Sequence, residues 1–269
     1  MLQKSFKLEN FDVMRKPIVG SLFVLFLLLA FSPRASAQDI KGGKVEYDQT
    51  NYHKLEKYGK PKIDKFISSL PSTTIDSKVL EFSSKTALYK ESLKPEDPAL
   101  AKMKMGIKRV SFLKPPTVKL REVYTDLRSG KQLRQLEFMS RFFLMEEKTG
   151  QSAWKIETEQ VKILGYTCQK ASMQKGGKTI TAWFTPEIPV SIGPAEYEGL
   201  PGLILSVEED GRNIILATSV DLSKPDRKLK KPKEGTKVDQ EKLDKIIAGK
   251  IEEWKKQQQN RGRNRGGKR

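Results

Sequence analysis

The 269-residue chain contains one cysteine, Cys168, and one histidine, His53. A single cysteine cannot form a disulfide bond within the chain, so the stability of a folded domain must come from its hydrophobic core. The common zinc sites need several cysteine or histidine ligands, so the composition predicts no zinc site, and we expect no other cofactor. We expect Cys168 to be buried as a small apolar side chain, with a free reactive thiol as the alternative.

The sequence patterns of familiar active sites are also missing. The chain has no HExxH metalloprotease motif, no phosphate-binding P-loop and no G-x-S-x-G nucleophile motif. A cysteine–histidine pair has little support, because His53 lies far from Cys168 in a polar, lysine-rich stretch. Paired catalytic carboxylates have no local spacing signature, so the sequence does not exclude them. We therefore predict a protein that is not an enzyme, with a carboxylate-based enzyme as the alternative.

Residues 1–37 have the features of a secretory signal peptide. Basic residues precede an apolar run over 18–31, which is shorter than the roughly 20 residues that cross a bilayer core. Ala35 and Ala37 form the small-x-small pattern of a signal peptidase site, which predicts cleavage before Gln38. No cysteine stands at the cut, so we expect an exported protein that is not a lipoprotein. An uncleaved N-terminal anchor is the alternative.

Positive charge is concentrated at the C-terminal end. The formal net charge of the chain is +18, and residues 224–269 hold 17 basic and 7 acidic residues, a net charge of +10. We predict a basic linker over 223–237, an amphipathic helix over 238–258 and a disordered basic tail over 259–269. The predicted apolar stripe of the helix consists of Leu243, Ile246, Ile247, Ile251 and Trp254.

This basic end has two alternative roles. The stripe and its surrounding lysines and arginines could hold the protein on an anionic lipid or polysaccharide surface. The stripe could instead dock on an open sheet as a lid. Because export separates the protein from RNA, we expect no nucleic-acid partner for the Arg-Gly tail.

Two glycine turns predict β-hairpins. Asp210-Gly211 suits a two-residue type I′ turn, because both positions need positive φ. In that register one face holds Leu203, Leu205, Val207, Ile214, Leu216 and Thr218. Gly176-Gly177 predicts a hairpin between residues 161–175 and 178–184, with Cys168 and Trp183 on one face. The opposite face would hold Ala171, Met173, Ile180, Ala182 and Phe184.

Further glycine turns near residues 130 and 150 extend this pattern. We predict a mainly β domain over 38–222, an antiparallel meander forming a curved sheet or half-barrel, followed by the C-terminal amphipathic helix. Such a sheet is similar to the folds of periplasmic lipoprotein carriers, and a closed barrel or a sandwich stays open. The proline-rich stretch 93–117 predicts a long connection over the sheet.

The densest motif lies between these hairpins. Residues 183–189 are WFTPEIP, and residues 199–205 are GLPGLIL. This pattern closely resembles the signature of the GLPGLI family, a group of exported proteins widespread in one large phylum of Gram-negative bacteria. The resemblance implies a periplasmic location. The family has no established activity, so the resemblance implies no catalytic residue.

The motif has a structural and a functional interpretation. As a structural turn, Pro201 and Gly202 would occupy the central positions of a type II turn beside Gly199. As a candidate binding loop, its aromatic and apolar residues would line a groove. These candidates are Trp183, Phe184, Tyr197, Leu200 and Pro201.

The sequence thus predicts a non-enzymatic cell-envelope protein that holds a hydrophobic ligand or an envelope-protein segment in the concavity of its sheet. The alternative is a peripheral module that binds anionic lipid or polysaccharide through its basic C-terminal helix and tail.

Overall fold

The computed structural model describes residues 41–53, 56–150, 152–224 and 227–266. The predicted signal peptide and its cleavage residues, Ala35, Ala37 and Gln38, lie outside the described residues. β-strands make up 46% of the described residues, and they form one mixed sheet of twelve strands. The mainly β prediction is confirmed.

The sheet contains β1 (Gly42–Tyr52), β2 (Thr73–Ser83), β3 (Thr86–Glu91), β4 (Lys119–Asp126), β5 (Lys131–Phe138), β6 (Arg141–Lys148), β7 (Lys155–Ile163), β8 (Tyr166–Lys175), β9 (Lys178–Thr185), β10 (Leu203–Glu209), β11 (Asn213–Asp221) and β12 (Thr236–Lys237). The helices are α1 (Pro61–Ser68), α2 (Pro98–Val110) and α3 (Gln240–Gly266), with a 3₁₀ turn at Ser111–Leu113. None of the helices in the described residues is long and apolar enough to cross a membrane.

The strand order is β12-β6-β5-β4-β3-β2-β1-β11-β10-β9-β8-β7. The chain runs outward from β1 to β6, re-enters at the other edge with β7, and returns inward to β11, which pairs with β1. The sheet is antiparallel apart from β12, which pairs with β6 in parallel. The predicted meander is therefore present as two halves that meet at β1 and β11.

The connection between β6 and β7 shows that the sheet is strongly curved. These strands lie ten positions apart in the sheet, which corresponds to about 48 Å in a flat sheet. Only residues 149–154 join them, and a chain of that length spans at most about 25 Å. The two ends must therefore curl toward each other. The sheet stays open, with β7 and β12 as its edges, so the described residues do not form the closed barrel that the sequence left open.

Apolar side chains are buried on both faces of β8 and β9. Cys168 belongs to the main core cluster, and Trp183 packs against it. Phe184 belongs to a second cluster, together with Ala171, Met173, Ile180 and Ala182. The register of this hairpin and both of its faces are as predicted, because the two-residue Gly176-Gly177 turn fixes the pairing of Lys175 with Lys178.

The hairpin at Asp210-Gly211 has the predicted positive φ at both turn residues, but the pairing of its strands differs from the prediction by one residue. Glu209 pairs with Asn213, so three residues rather than two form the turn. A one-residue slip turns every side chain of a strand to the other face. Ile215 is consequently buried at 6% exposure, whereas Leu216, predicted to face the core, is 43% exposed.

Two turns were missed by the sequence analysis. Leu164-Gly165 separates β7 from β8, so the predicted strand 161–175 is in fact the end of one strand, a turn and the next strand. Met139-Ser140 separates β5 from β6, and both residues have positive φ. A side chain with a Cβ seldom adopts positive φ, so no composition signal marks the turn at 139–140.

The C-terminal segment packs on the sheet. In the predicted linker, Leu229 is buried in a cluster with Leu88 and Tyr124, and the Gln135 side chain donates to the Glu234 carbonyl at 2.8 Å. The described part of this segment is therefore attached to the sheet and includes β12, so the predicted basic linker over 223–237 is not a free linker.

α3 begins close to its predicted start and continues to Gly266, which is beyond the predicted end at 258 and inside the predicted disordered tail. The side chain of Asp239 caps its first turn by accepting the Lys242 N–H at 2.8 Å. Leu243, Ile246 and Ile247 pack against the cluster that contains Phe138. The first half of the predicted stripe thus docks on the sheet.

Candidate functional site

The candidate binding loop, residues 186–202, connects β9 to β10 through a series of tight turns. The N–H groups of Val190, Ile192 and Gly202 each donate to the carbonyl two residues earlier, at 2.8 Å. This is the hydrogen-bond pattern of a γ-turn, and the fixed φ of proline suits its central position, where Pro189 and Pro201 stand. The prediction of a type II turn at Pro201-Gly202 is therefore wrong, since the turn closes one residue earlier.

Two glycines of the loop are required by close approach. A Cβ on Gly202 would lie 2.1 Å from the Thr185 carbonyl oxygen, and one on Gly193 would lie 2.7 Å from the Ile204 Cβ. The N–H groups of Leu203 and Ile204 donate to the carbonyls of Ile188 and Ile192, both at 2.9 Å. The loop is thereby fixed to the start of β10.

The aromatic and apolar candidates of the loop are mostly buried. Phe184, Tyr197 and Leu200 are 1%, 3% and 1% exposed, Trp183 is half-buried against the main core, and Pro201 is exposed. Phe184, Tyr197 and Leu200 pack in one apolar cluster with β8, β9 and β10, and Trp183 packs against the main core, so these four side chains do not line an open groove. The structure therefore corrects the predicted aromatic groove.

Only a small cavity is left where the loop faces strands β2–β5. Its volume is about 10 Å³, which is room for one water-sized group. We call it the chamber. It is lined by Leu80, Ala87, Tyr89, Val123, Thr125, Gln132, Ile192, Gly193, Ala195, Tyr197 and Glu198. A hydrophobic ligand of ordinary size has no room there.

A larger, polar space lies beside the loop, where the two ends of the sheet curl toward each other. We call this space, of about 300 Å³, the cleft. It is lined by Gln132, Glu147, Lys148, Thr149, Ser152, Ala153, Met173, Gln174, Lys175, Glu196 and Glu198. The loop does line a groove, then, but with the two carboxylates that flank the buried Tyr197.

Glu198 is the most constrained of these carboxylates. Its side chain accepts the Gly150 N–H at 2.9 Å, and its carbonyl accepts the indole N–H of Trp154 at 2.8 Å. Burial raises the pKa of Glu198, an effect that the Gly150 hydrogen bond and the charge of Lys175 oppose. Glu198 thus holds both ends of the β6–β7 connection.

Three other charged side chains of the cleft, Lys175, Glu196 and Glu147, are paired. The Lys175 ammonium lies 3.3 Å from a carboxylate oxygen of Glu196 and 5.5 Å from the centre of the Tyr197 ring. Glu147 pairs with Arg134. Beneath the cleft, the Tyr197 hydroxyl donates to Glu209 at 2.7 Å. These contacts fix the positions of the lining side chains.

The pKa values of the Tyr197–Glu209 pair follow from its surroundings. Burial raises the pKa of the Tyr197 phenol, and the neighbouring carboxylates raise it further. Burial would also raise the pKa of Glu209, but hydrogen bonds from Tyr197 and Lys178 lower it overall. The phenol therefore stays protonated and donates to a carboxylate.

Cys168 and His53 do not line the cleft. Cys168 is fully buried, and burial raises the pKa of its thiol to about 11. The His53 ring is hydrogen-bonded to the Thr74 hydroxyl at 2.8 Å, and burial lowers the pKa of His53. Within the described residues, no group of three or more histidine, cysteine, aspartate or glutamate side chains could hold a metal ion.

Sequence reasoning missed Glu196, Glu198 and Lys175. The signal for the two glutamates was the alternation Glu196-Tyr197-Glu198, since one buried residue between two polar ones indicates that both polar neighbours face away from the core. Lys175 could not be predicted as a cleft residue, because the end of β8 comes close to β5 and β6 only when the sheet is curved.

Residues 172–206 match the family described as "Protein of unknown function (Porph_ging)". That segment contains the end of β8, all of β9, the candidate loop and the first half of β10. No curated protein matches the chain. Two solved structures of PNGF-II, in two space groups, are similar over 78% of this chain, with 17% and 18% identity and TM-scores of 0.47 and 0.49. The chain spans about a third of their length, 34% and 33%.

Proposed function

We propose that the protein is an exported, non-enzymatic binding protein of the cell envelope, and that it holds a segment of an envelope protein in the cleft. The observation that carries the proposal is the cleft itself, a polar space of about 300 Å³ between the two ends of one sheet. The resemblance to the GLPGLI family supports export, and the match over residues 172–206 to a family of unknown function includes the whole of the same motif.

The sequence left two occupants open, and the structure favours the polypeptide. A hydrophobic ligand would need an apolar cavity, but Phe184, Tyr197 and Leu200 are buried in an apolar cluster, and the chamber beside the loop has room for one water-sized group. The cleft instead presents amides, hydroxyls and charges of both signs, including Gln132, Lys148 and Glu198. Polypeptide segments offer matching backbone and side-chain groups.

Preorganisation supports binding at this place. The loop is fixed by γ-turns and by close contacts at Gly193 and Gly202, and the β6–β7 connection is fixed by Glu198. A site whose groups are already positioned loses less conformational entropy when a ligand binds.

The proposal is non-enzymatic because the reactive groups lie elsewhere. Cys168 is in the core with a raised pKa, and His53 is engaged by Thr74. A cysteine nucleophile would need a lowered pKa and an adjacent base.

NMR titration of the full mature chain with unstructured acidic, basic and neutral peptides tests the proposal. We expect shift perturbations that cluster on the residues lining the cleft, and loss of these perturbations when Gln132→Trp fills its floor. A matched control is Thr167→Trp, on the exposed side of β8. The proposal fails if no peptide perturbs the cleft or if Gln132→Trp leaves the perturbations unchanged.

The second candidate function, attachment to an anionic surface, has support from α3. Its first turns dock on the sheet through Leu243, whereas Lys255 and Lys256 farther along are exposed. If this candidate is correct, removal of residues 248–269 abolishes sedimentation with anionic vesicles, and added salt weakens sedimentation of the full chain. Peptide binding in the cleft would be unaffected by the truncation.

A further inference from the structure

We infer that the segment bound in the cleft presents a primary ammonium group, from a lysine side chain or a chain amino terminus, to Glu198. This inference rests on the proposed function, since it specifies the chemistry of the ligand at the same site. Three observations carry it: a carboxylate without an ion-pair contact among the described residues, an adjacent chamber, and a buried phenol that has no hydrogen-bond partner in the same part of the chain.

Glu198 differs from the other carboxylates of the cleft. Glu196 is paired with Lys175 and Glu147 with Arg134, whereas no lysine or arginine of the described residues lies in ion-pair contact with Glu198. Among the described residues, the hydrogen-bond partner of its carboxylate is the Gly150 N–H. A half-buried carboxylate without a cation is costly to hold in the folded protein, so a cation from outside would be bound favourably.

The chamber lies next to this carboxylate. Glu198 and Gln132 line both the cleft and the chamber, so they separate the two spaces. The chamber volume of about 10 Å³ is enough for one group of the size of water, and an ammonium group has that size. A ligand that reaches past Glu198 would therefore place a single terminal group there.

Tyr89 supplies the independent observation. Its side chain lines the chamber and is 3% exposed, and its hydroxyl has no hydrogen-bond partner within the described part of the chain. Burial raises the pKa of this phenol, and the charge of Glu196 raises it further, so its oxygen stays neutral. A buried hydroxyl without a partner is destabilising, and a group in the chamber would relieve that cost.

The acceptors of this site favour ammonium as the occupant. Glu198 offers carboxylate oxygens, Tyr89 a phenolic oxygen and Thr125 a hydroxyl oxygen. An ammonium group has three N–H donors and no acceptor, which matches three oxygens around one small space. Lys148 and Lys175 also line the cleft, but Lys175 is held by Glu196 and Lys148 is exposed at the end of β6.

The test uses three short peptides that differ only in their ammonium groups. The first is acetyl-Gly-Lys-Gly-amide, the second replaces lysine by norleucine, and the third is the norleucine peptide with a free amino terminus. Binding to the full mature chain is measured by calorimetry. A charge-assisted hydrogen bond predicts that at least one ammonium-bearing peptide binds about tenfold tighter than the acetylated norleucine peptide. The first and third peptides distinguish the lysine from the terminal amine.

Glu198→Gln keeps the side-chain volume and the acceptor for Gly150, so the protein should fold while the preference for ammonium is lost. Glu159→Gln, which removes a charge on edge strand β7 outside the cleft, is the matched control and should keep the preference. Tyr89→Phe removes only the unpartnered hydroxyl and should reduce the preference several-fold.

Equal binding of all three peptides, or an unchanged preference in Glu198→Gln, would overturn the inference. If those peptides still perturb the cleft in NMR spectra, the proposed function survives without it. If none of the peptides binds in the cleft, both fail.

Discussion

The carboxylate of Glu198 accepts a hydrogen bond from the backbone N–H of Gly150 at 2.9 Å, and this contact joins the candidate loop to the short connection between the two ends of the sheet. The two residues are 48 positions apart in the sequence. This short connection joins the two ends of a strongly curved sheet. Its hydrogen bond to Glu198 therefore stabilises both the loop and the curvature of the sheet. The cleft is a consequence of this arrangement.

Glu198→Gln should raise the free energy of unfolding at neutral pH, because it removes a half-buried charge and keeps the acceptor for Gly150. The pKa of Glu198 is raised in the folded state. The stability that depends on its protonation is therefore fully present below the unfolded pKa, and it is lost as pH rises through the folded pKa. Urea unfolding from about pH 8 to about pH 4 should show the advantage of the variant shrinking as pH falls.

Glu159→Gln is the control for this pH series, since Glu159 is exposed and pairs with Lys170 at 2.9 Å. We expect no gain in stability from it at any pH. A loss of stability in Glu198→Gln at neutral pH would show that the negative charge itself holds the connection.

Gly202→Ala should destabilise the protein by about 1–3 kcal/mol or more, because the new Cβ would lie 2.1 Å from the Thr185 carbonyl oxygen and force the backbone apart. The control is Gly249→Ala in α3, where a Cβ meets nothing within 4 Å. Alanine favours a helix over glycine by about 1 kcal/mol, so the control should be neutral or stabilising. Urea unfolding of both variants checks the pair, and equal stabilities would contradict the close approach.

The hairpins show how far local sequence determines this fold. Gly176-Gly177 predicted the register, because a two-residue turn leaves a single pairing that buries Phe184 and Ile180 together. Asp210-Gly211 carried the same signal and gave a three-residue turn. Asp210 and Gly211 have the predicted positive φ, and the Arg212 N–H closes their turn on the Glu209 carbonyl at 3.0 Å. The strand pairing nevertheless begins at Glu209 and Asn213, and no residue type marks Arg212 as the extra residue.

The cleft could not be predicted from the sequence. Its walls come from β5 and β6 on one side and from β8 and the candidate loop on the other, which meet only when the sheet curls. The sequence did identify the loop, through the prolines and glycines that its tight turns need. It assigned the wrong residues to the surface, because an aromatic side chain such as Tyr197 is equally suited to a groove and to a core.

The one-residue slip at the β10–β11 hairpin is testable by a pair of alanine substitutions. Ile215→Ala removes a buried side chain and should cost about 2–5 kcal/mol, whereas Leu216→Ala affects an exposed one and should change stability by less than about 1 kcal/mol. The predicted two-residue turn would bury Leu216 and expose Ile215, so it requires the larger loss of stability from Leu216→Ala. Chemical denaturation of the two variants therefore distinguishes the registers, and a larger loss from Leu216→Ala would reject the three-residue turn.

Cys168 should behave as a core residue rather than a reactive thiol. It is fully buried, and burial raises its pKa to about 11, so both the access of a reagent and the thiolate fraction near neutral pH are low. We expect Ellman's reagent to modify the native protein only at the rate of local or global opening, and to modify the unfolded protein at once. The matched control places a cysteine one position earlier on β8, where Thr167 is exposed: Thr167→Cys in a Cys168→Ser background should react immediately. If native Cys168 reacts as fast as that control, the thiol is accessible, and both its burial and the argument against a cysteine nucleophile fail.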